Sequence, residues 1–154
     1  MLNEILPPHI DNTYRGHRLA LWLFAVILVV KAGIALGTMF NGRAAAQTAD
    51  GIPLESFGAA GAAAVVSLFA IWGLSQLVLT VIGVLVLVRY RAMISLMFAL
   101  FLFEHLVRRV IFLVRPIART GAPPGLYINL TLLAAMIVGL VLSLRRRADL
   151  PLPQ

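Results

Sequence analysis

The segment FEHLVRR, residues 103–109, places one acid, one histidine and two arginines inside an otherwise apolar run of residues 92–114. Glu104 and Arg108 are four residues apart with the acid first, which is the favourable order for an ion pair on one helix face. The same helical spacing adds apolar residues to that face: Met97, Leu100, Phe101 and Ile111. Ionisable groups in an apolar span are candidates for ion pairing, proton transfer or ligand binding.

The composition indicates the elements that must position these groups. The chain has 154 residues, of which 61% are hydrophobic and 12% charged, whereas soluble domains carry about 25% charged residues. Four apolar runs are long enough to cross roughly 30 Å of hydrocarbon as helices. The sequence therefore predicts an all-α fold: a polytopic membrane protein built as a four-transmembrane-helix bundle.

The predicted organisation is a cytoplasmic tail at 1–18, a transmembrane domain at 19–147 and a C-terminal tail at 148–154. The spans are expected at about 19–38, 62–88, 92–114 and 126–144. Residues 41–57 contain the Gly, Pro, Asn and Asp typical of a loop, and they form the longest connection. The first span carries Lys31 and follows a long polar tail, so we expect it to be retained rather than cleaved as a signal.

The depth of each polar residue in its span predicts its partners. Spans 1 and 3 run in the same direction, and the helical rise places Lys31 ~4 Å and Glu104 ~1.5 Å beyond their midpoints. We therefore expect Glu104 to pair with Lys31, with Arg108 as its second partner. Gln76 lies near the midpoint of span 2. In span 4, Asn129 lies at the level of Arg108 and Arg109.

Three interpretations of these residues stay open at this stage. In the first, the charges form an internal ion network, and Gln76 and Asn129 join helices by hydrogen bonds. In the second, a polar cavity binds an anionic headgroup, a quinone or a proton. In the third, the long cationic side chains extend to the membrane interface.

A metal or haem at His105 is not expected. The other histidines, His9 and His17, lie in the N-terminal tail, so no second histidine shares its depth. No metal-ligand spacing, nucleophile arrangement or glycine-rich phosphate loop is present. We therefore predict no catalytic residue, no metal and no cofactor.

Gly33 and Gly37 form a GxxxG pattern, which permits close approach of two helices. Lys31 and Gly33 differ by ~200° around a helix. If Lys31 faces the interior of the bundle, the glycines face outward and are candidates for contact with a partner helix.

Three segments, DNTYRGHRLALWLF, ADGIPLESF and LVLVRYRAMISLMFALFLFEHLVRR, resemble those of a family of small uncharacterised bacterial four-span membrane proteins. The resemblance covers most of the chain. It implies a multi-pass protein of the bacterial inner membrane and implies no activity, cofactor or site residue.

Short connections leave little aqueous surface for an active site, so we expect a non-enzymatic membrane protein. It would be an accessory subunit of a larger membrane complex or a homo-oligomer, embedded in membrane lipids. The alternative is a small transporter or a lipid- or quinone-binding protein that uses a polar cluster centred on Glu104. The small multidrug exporters carry a carboxylate in their first span, where this chain has Lys31. The acid-arginine-asparagine motif of the glutathione-using MAPEG enzymes is not found in span 2.

The net charge of +7 arises from arginines at the ends of the spans, so we expect no nucleic acid partner. Arginines in short loops favour the cytoplasmic side. Placing both termini inside puts seven on that side, Arg15, Arg18, Arg89, Arg91, Arg145, Arg146 and Arg147, against three outside, Arg43, Arg115 and Arg119. Both termini are therefore predicted to be cytoplasmic.

Single-cysteine labelling in intact cells tests this topology, since the chain has no native cysteine. A cysteine at Thr48, in the predicted outer loop, should react with a membrane-impermeant maleimide. A cysteine at Gln154 should react only after the cells are permeabilised. The reverse pattern would refute the orientation.

Overall fold

The computed structural model describes residue 5 and residues 11–145, and within these residues the chain is helical and contains no strand. Its four long helices are α1, Arg18–Phe40; α2, Ala59–Arg89; α3, Ile94–Val114; and α4, Pro124–Leu144. Short helical turns lie between them at Gly42–Ala44, Ala45–Ala49, Leu54–Ser56 and Arg91–Met93. The predicted all-α class is confirmed. The predicted C-terminal tail at 148–154, the arginines at 146 and 147, and residues 1–4 and 6–10 of the predicted N-terminal tail lie outside the described residues.

Three of these helices, α1, α2 and α4, are long and apolar enough to cross a membrane. The fourth, α3, has 21 residues but contains Glu104, Arg108 and Arg109. Large apolar side chains point away from the bundle on all four helices; Val29 is 73% exposed and Leu113 is 77% exposed. Such a surface is typical of helices surrounded by lipid rather than water.

Local sequence accounts for several helix ends. His17 caps α1, because its Nδ1 accepts a hydrogen bond from the backbone N–H of Leu19 at 3.2 Å. Pro116 follows the end of α3, where a proline cannot continue the helix. Pro124 occupies the first position of α4, where the N–H that proline lacks would have no helical partner.

The helices alternate in direction, so the bundle has two ends. At the tail end, where α1 starts and α4 finishes, the backbone N–H of His17 donates to the carbonyl of Leu142 at 3.2 Å. At the loop end, where residues 41–58 and 115–123 connect the helices, the N–H of Thr120 donates to the carbonyl of Gly51 at 2.8 Å. Both ends are therefore closed by contacts between segments distant in sequence.

Aromatic rings fill the core towards the tail end. Phe24 of α1 lies edge-on to Phe98 of α3, with ring centroids 5.1 Å apart, and stacks on Phe101 at 5.9 Å. All three are fully buried. Gly139 of α4 lies directly against the ring of Phe98, and a β-carbon there would overlap the ring. The missing side chain thus provides the space that the aromatic core occupies.

Residues 41–57 are more ordered than the predicted loop. They contain three short helical turns, and buried Ala46, Ile52 and Leu54 form a second apolar cluster against side chains of α2 that include Phe69. The Gly, Pro and Asp residues indicated a loop, but the apolar residues between them pack on the long α2 helix. The segment therefore folds as a cap over the loop end.

The face of α3 that carries Glu104 and Arg108 is only partly buried. Met97 and Phe101 are 2% and 0% exposed, whereas Leu100 and Ile111 are 43% and 52% exposed. The buried side of α3 is centred on Met97, Phe98, Phe101 and His105, because the aromatic core determines how the helix is rotated. Glu104 consequently lies at the edge of the buried face.

Gly73→Ala should destabilise the protein, because a β-carbon there would lie 2.6 Å from the backbone nitrogen of Met39 and 2.9 Å from the carbonyl oxygen of Ala35. Relief would require α1 to move away from α2, and such overpacking costs ~1–3 kcal/mol. Thermal unfolding in detergent measures the change.

Gly33→Ala is the matched control, since a β-carbon at this helical glycine meets nothing within 4 Å. The higher helix propensity of alanine predicts unchanged or greater stability for this variant. Equal destabilisation of the two variants would contradict the close approach of α1 and α2 at Gly73.

Candidate functional site

Three polar side chains from three helices meet inside the bundle. Lys31 of α1 donates from Nζ to Oε1 of Gln76 on α2 at 2.9 Å. Gln76 donates from Nε2 to Oε1 of Glu104 on α3 at 3.3 Å. Lys31 Nζ also lies 3.7 Å from Glu104 Oε2. The structure therefore brings Lys31 and Glu104 together, as their depths predicted, and places Gln76 between them.

The surroundings of this triad are largely apolar. The side chain of Lys31 is 8% exposed and that of Glu104 is 25% exposed. The ammonium of Lys31 also lies 4.9 Å from the centroid of the Phe101 ring, within the range of a cation–π contact. Among the described residues, Glu104 Oε2 is buried without a hydrogen-bond partner. One carboxylate oxygen is thus held only by the longer ionic contact with Lys31.

Arg108 is not the second partner of Glu104, so that prediction is wrong. Within the described residues it forms no ion pair with Glu104; its guanidinium donates to Oδ1 of Asn129 on α4 at 3.2 Å. It also lies 3.0 Å from Nδ1 of His105 and 5.2 Å above the Trp72 ring. Helical spacing allowed the pair with Glu104, but the long arginine side chain extends towards the loop end, where α2 and α4 supply partners.

His105 is buried at 3% exposure. Because guanidinium N–H groups only donate hydrogen bonds, Nδ1 must accept the contact with Arg108, which assigns the ring proton to Nε2 in the neutral imidazole. In the part of the chain that the structure describes, no group of three His, Asp or Glu side chains is arranged to hold a metal ion. His105 is therefore a hydrogen-bond partner of Arg108.

The two glycines of the GxxxG pattern lie on the side of α1 opposite to the triad. Gly33 and Gly37 are exposed while Lys31 is buried, which agrees with the angle predicted from the sequence. A β-carbon at either glycine would meet nothing within 4 Å. This side of α1 is consequently open to lipid or to another helix.

The loop end of the bundle contains a cleft, and several of the residues that line it were not singled out from the sequence. Its polar part has a volume of about 50 Å³ and is lined by Asp50, His105, Arg108, Arg109, Arg119 and Asn129. Its apolar part has a volume of about 280 Å³ and is lined by Ile52, Leu68, Phe69, Trp72, Phe112 and Ile117. The parts adjoin, since Arg108, Arg119 and Phe112 line both. We call the two together the loop-end cleft.

Asp50, Trp72, Phe112 and Arg119 are among the residues of this cleft that the sequence did not indicate as a site. No spacing relates Asp50 to Arg119, because they line one cleft only where residues 41–58 fold back onto residues 115–123. Thr120 marks that contact, with both its N–H and its hydroxyl donating to the carbonyl of Gly51. Burial raises the pKa of the Asp50 carboxyl above its ordinary value, and Arg119 and Arg108 act in the opposite direction.

The described residues thus define an all-helical protein whose apolar helices are compatible with a membrane and whose interior polar groups contact one another. Comparison of the chain with protein-family models, curated proteins and solved structures yields no match. Function is therefore inferred from the geometry.

Glu104→Leu is expected to destabilise the protein by ~3–5 kcal/mol, because it leaves the ammonium of Lys31 without its counter-charge in apolar surroundings. Adding Lys31→Leu removes that charge and should restore part of the loss. Unfolding in detergent of both single variants and the double variant gives the coupling energy.

The exposed pair Arg43–Glu55, with atoms 4.0 Å apart and side chains 61% and 82% exposed, is the control. A cycle of Arg43→Ala and Glu55→Ala should show little coupling, since water screens such a pair. Additive effects of the Lys31 and Glu104 changes would show that their contact does not stabilise the fold.

Proposed function

We propose that this chain is a non-enzymatic integral membrane protein with four spans, in which α3 crosses the membrane together with α1, α2 and α4. We place it in the bacterial inner membrane with both termini in the cytoplasm. It acts either as an accessory subunit of a larger membrane complex or as a homo-oligomer.

The contacts of its charged residues support a membrane-spanning α3. Glu104 meets Lys31 and Gln76, and Arg108 meets Asn129 and the Trp72 ring. An unpaired charge at the bilayer centre costs about 3 kcal/mol on insertion scales, and these partners reduce that cost. Arg109 is exposed only five residues before the end of α3 at Val114, so its side chain reaches the interface.

The contacts among the interior polar residues are the observation that carries this proposal, since they indicate a structural role. Lys31, Gln76 and Glu104 use one another as partners across three helices, and Arg108 uses Asn129 on the fourth. Interhelical contacts of this kind fix the arrangement of membrane helices. The interior polar residues hold the helices together, and the connections between the helices are short. The surfaces left for contact with a partner are therefore those that face the membrane.

The open side of α1 is the surface that we assign to association. Gly33 and Gly37 leave the helix backbone accessible over one turn, and small residues at this spacing allow two membrane helices to pack closely. The partner is either another membrane subunit or a second copy of this chain.

One observation favours a second candidate, a small transporter or a lipid- or quinone-binding protein that uses Glu104. Among the described residues, Glu104 Oε2 is buried without a hydrogen-bond partner, and such a group can receive a proton or a ligand donor. The long contact with Lys31 leaves this oxygen available.

Leucine at both Gly33 and Gly37 should reduce association at least tenfold, since bulky side chains there keep a partner helix at a distance. The matched control is leucine at Ala60 and Ala64, two exposed small residues with the same spacing on α2. Crosslinking in native membranes, followed by purification in mild detergent and mass spectrometry, measures oligomers and bound subunits.

Loss of a stoichiometric partner or oligomer in the glycine variant alone supports the accessory or oligomeric role. A wild-type protein that is monomeric and without a partner in both preparations would refute it. A monomer that retains a small molecule, released by Glu104→Gln, would instead establish the second candidate.

A further inference from the structure

The loop-end cleft joins two unlike surfaces. Leu68, Phe69 and Trp72 of α2 form one apolar wall, and Phe112 of α3 and Ile117 form the other. Leu68 is 64% exposed, so this part opens at the side of the bundle, between α2 and α3. The polar part continues inward from the apolar part without a break, because Arg108, Arg119 and Phe112 belong to both.

Three guanidinium groups give this cleft an excess of positive charge. Arg108, Arg109 and Arg119 line the polar part, where Asp50 is the one acid among the described lining residues. Within the described residues, neither Arg109 nor Arg119 forms an ion pair. An anion that entered the cleft would therefore meet two guanidinium groups that are not held in ion pairs, with Asp50 as the opposing charge.

Two of the arginines are held against aromatic rings. The guanidinium of Arg108 lies 5.2 Å from the centroid of Trp72, and that of Arg119 lies 5.1 Å from the centroid of Phe112. Guanidinium groups are weakly hydrated, and the ring of Phe112 against Arg119 leaves the N–H edge of this arginine free for bidentate contact with phosphate. Arg108 already donates to Asn129 and contacts His105, so Arg119 is the stacked arginine that offers donors to the cleft.

We propose that the loop-end cleft binds a phospholipid of net negative charge. Its phosphate lies against Arg109 and Arg119, and the start of one acyl chain lies between Phe69, Phe112 and Ile117. This lipid site is separate from the side of α1 that carries Gly33 and Gly37, so it does not depend on the proposed association.

The apolar part of the cleft distinguishes a lipid from a soluble phosphate compound. It accounts for about 280 Å³ against about 50 Å³ for the polar part, and a soluble anion would leave it empty. An acyl chain that lies there fills this space with van der Waals contacts to the apolar side chains. The occupant that satisfies both parts is an amphiphile whose charge and chain are adjacent, as they are in a phospholipid.

The test uses the full-length protein in detergent micelles and native mass spectrometry with added lipids. Phosphatidylglycerol should bind about thirtyfold more tightly than phosphatidylcholine with the same acyl chains, because each of the two arginines contributes ~1 kcal/mol towards an anionic lipid. Arg109→Gln combined with Arg119→Gln should abolish that preference. Both residues are exposed, so the fold is expected to survive, and thermal unfolding without lipid checks this.

The control variant combines Arg43→Gln with Arg115→Gln. It removes the same charge from the same end of the bundle, and both arginines are exposed and line neither part of the cleft. Its lipid preference should remain. Asp50→Asn gives a change of opposite sign, because loss of the one carboxylate in the cleft should strengthen phosphatidylglycerol binding.

Three outcomes would overturn the lipid site. The first is equal binding of the two lipids by the wild-type protein. The second is equal loss of preference in both arginine variants, which would indicate diffuse charge attraction. The third is displacement of phosphatidylglycerol by excess glycerol 3-phosphate, which would indicate a site for a soluble anion in the polar part alone.

Discussion

The ammonium of Lys31 is the constraint on which the rest of this bundle depends. A lysine 8% exposed inside an apolar structure is tolerated only if partners replace the water that it loses. Gln76, Glu104 and the Phe101 ring supply that replacement from α2 and α3. One charge on α1 thereby fixes the depth of two neighbouring helices. Apolar packing in lipid specifies that depth weakly, since lipid tails solvate apolar side chains equally well.

The aromatic core and the polar triad fix the bundle by different means. Phe24, Phe98 and Phe101 fill space where glycine leaves room on α4, and this packing sets the rotation of α3. The triad then uses the edge of the same helix, where Glu104 lies. Phe101 belongs to both, because its ring packs on Phe24 and faces Lys31. A substitution of Phe101 would therefore alter the packing of the aromatic core and the contacts of Lys31 at the same time.

The sequence was sufficient for the four long helices and for the pairing of Lys31 with Glu104. Both follow from local quantities: the length of an apolar run and the helical rise along it. Helical rise also placed Asn129 at the level of Arg108, but the sequence wrongly paired Arg108 with Glu104. A flexible side chain can extend in several directions, and the direction that Arg108 takes depends on Trp72 and Asn129 of other helices. The loop-end cleft was missed because it requires two connecting segments to meet, through Thr120 and Gly51, and no periodicity encodes that meeting.

The length of α2 gives the molecule a sensitivity to bilayer thickness. Its 31 residues extend ~46 Å at 1.5 Å per residue, well beyond roughly 30 Å of hydrocarbon. The excess lies at the loop end, where Val65, Val66 and Phe69 carry the cap formed by Ala46, Ile52 and Leu54. A thicker membrane would submerge more of this end and a thinner one would expose more of it. Hydrophobic mismatch at α2 would thus change the depth of the cap, and membrane regions of different thickness would expose different amounts of it.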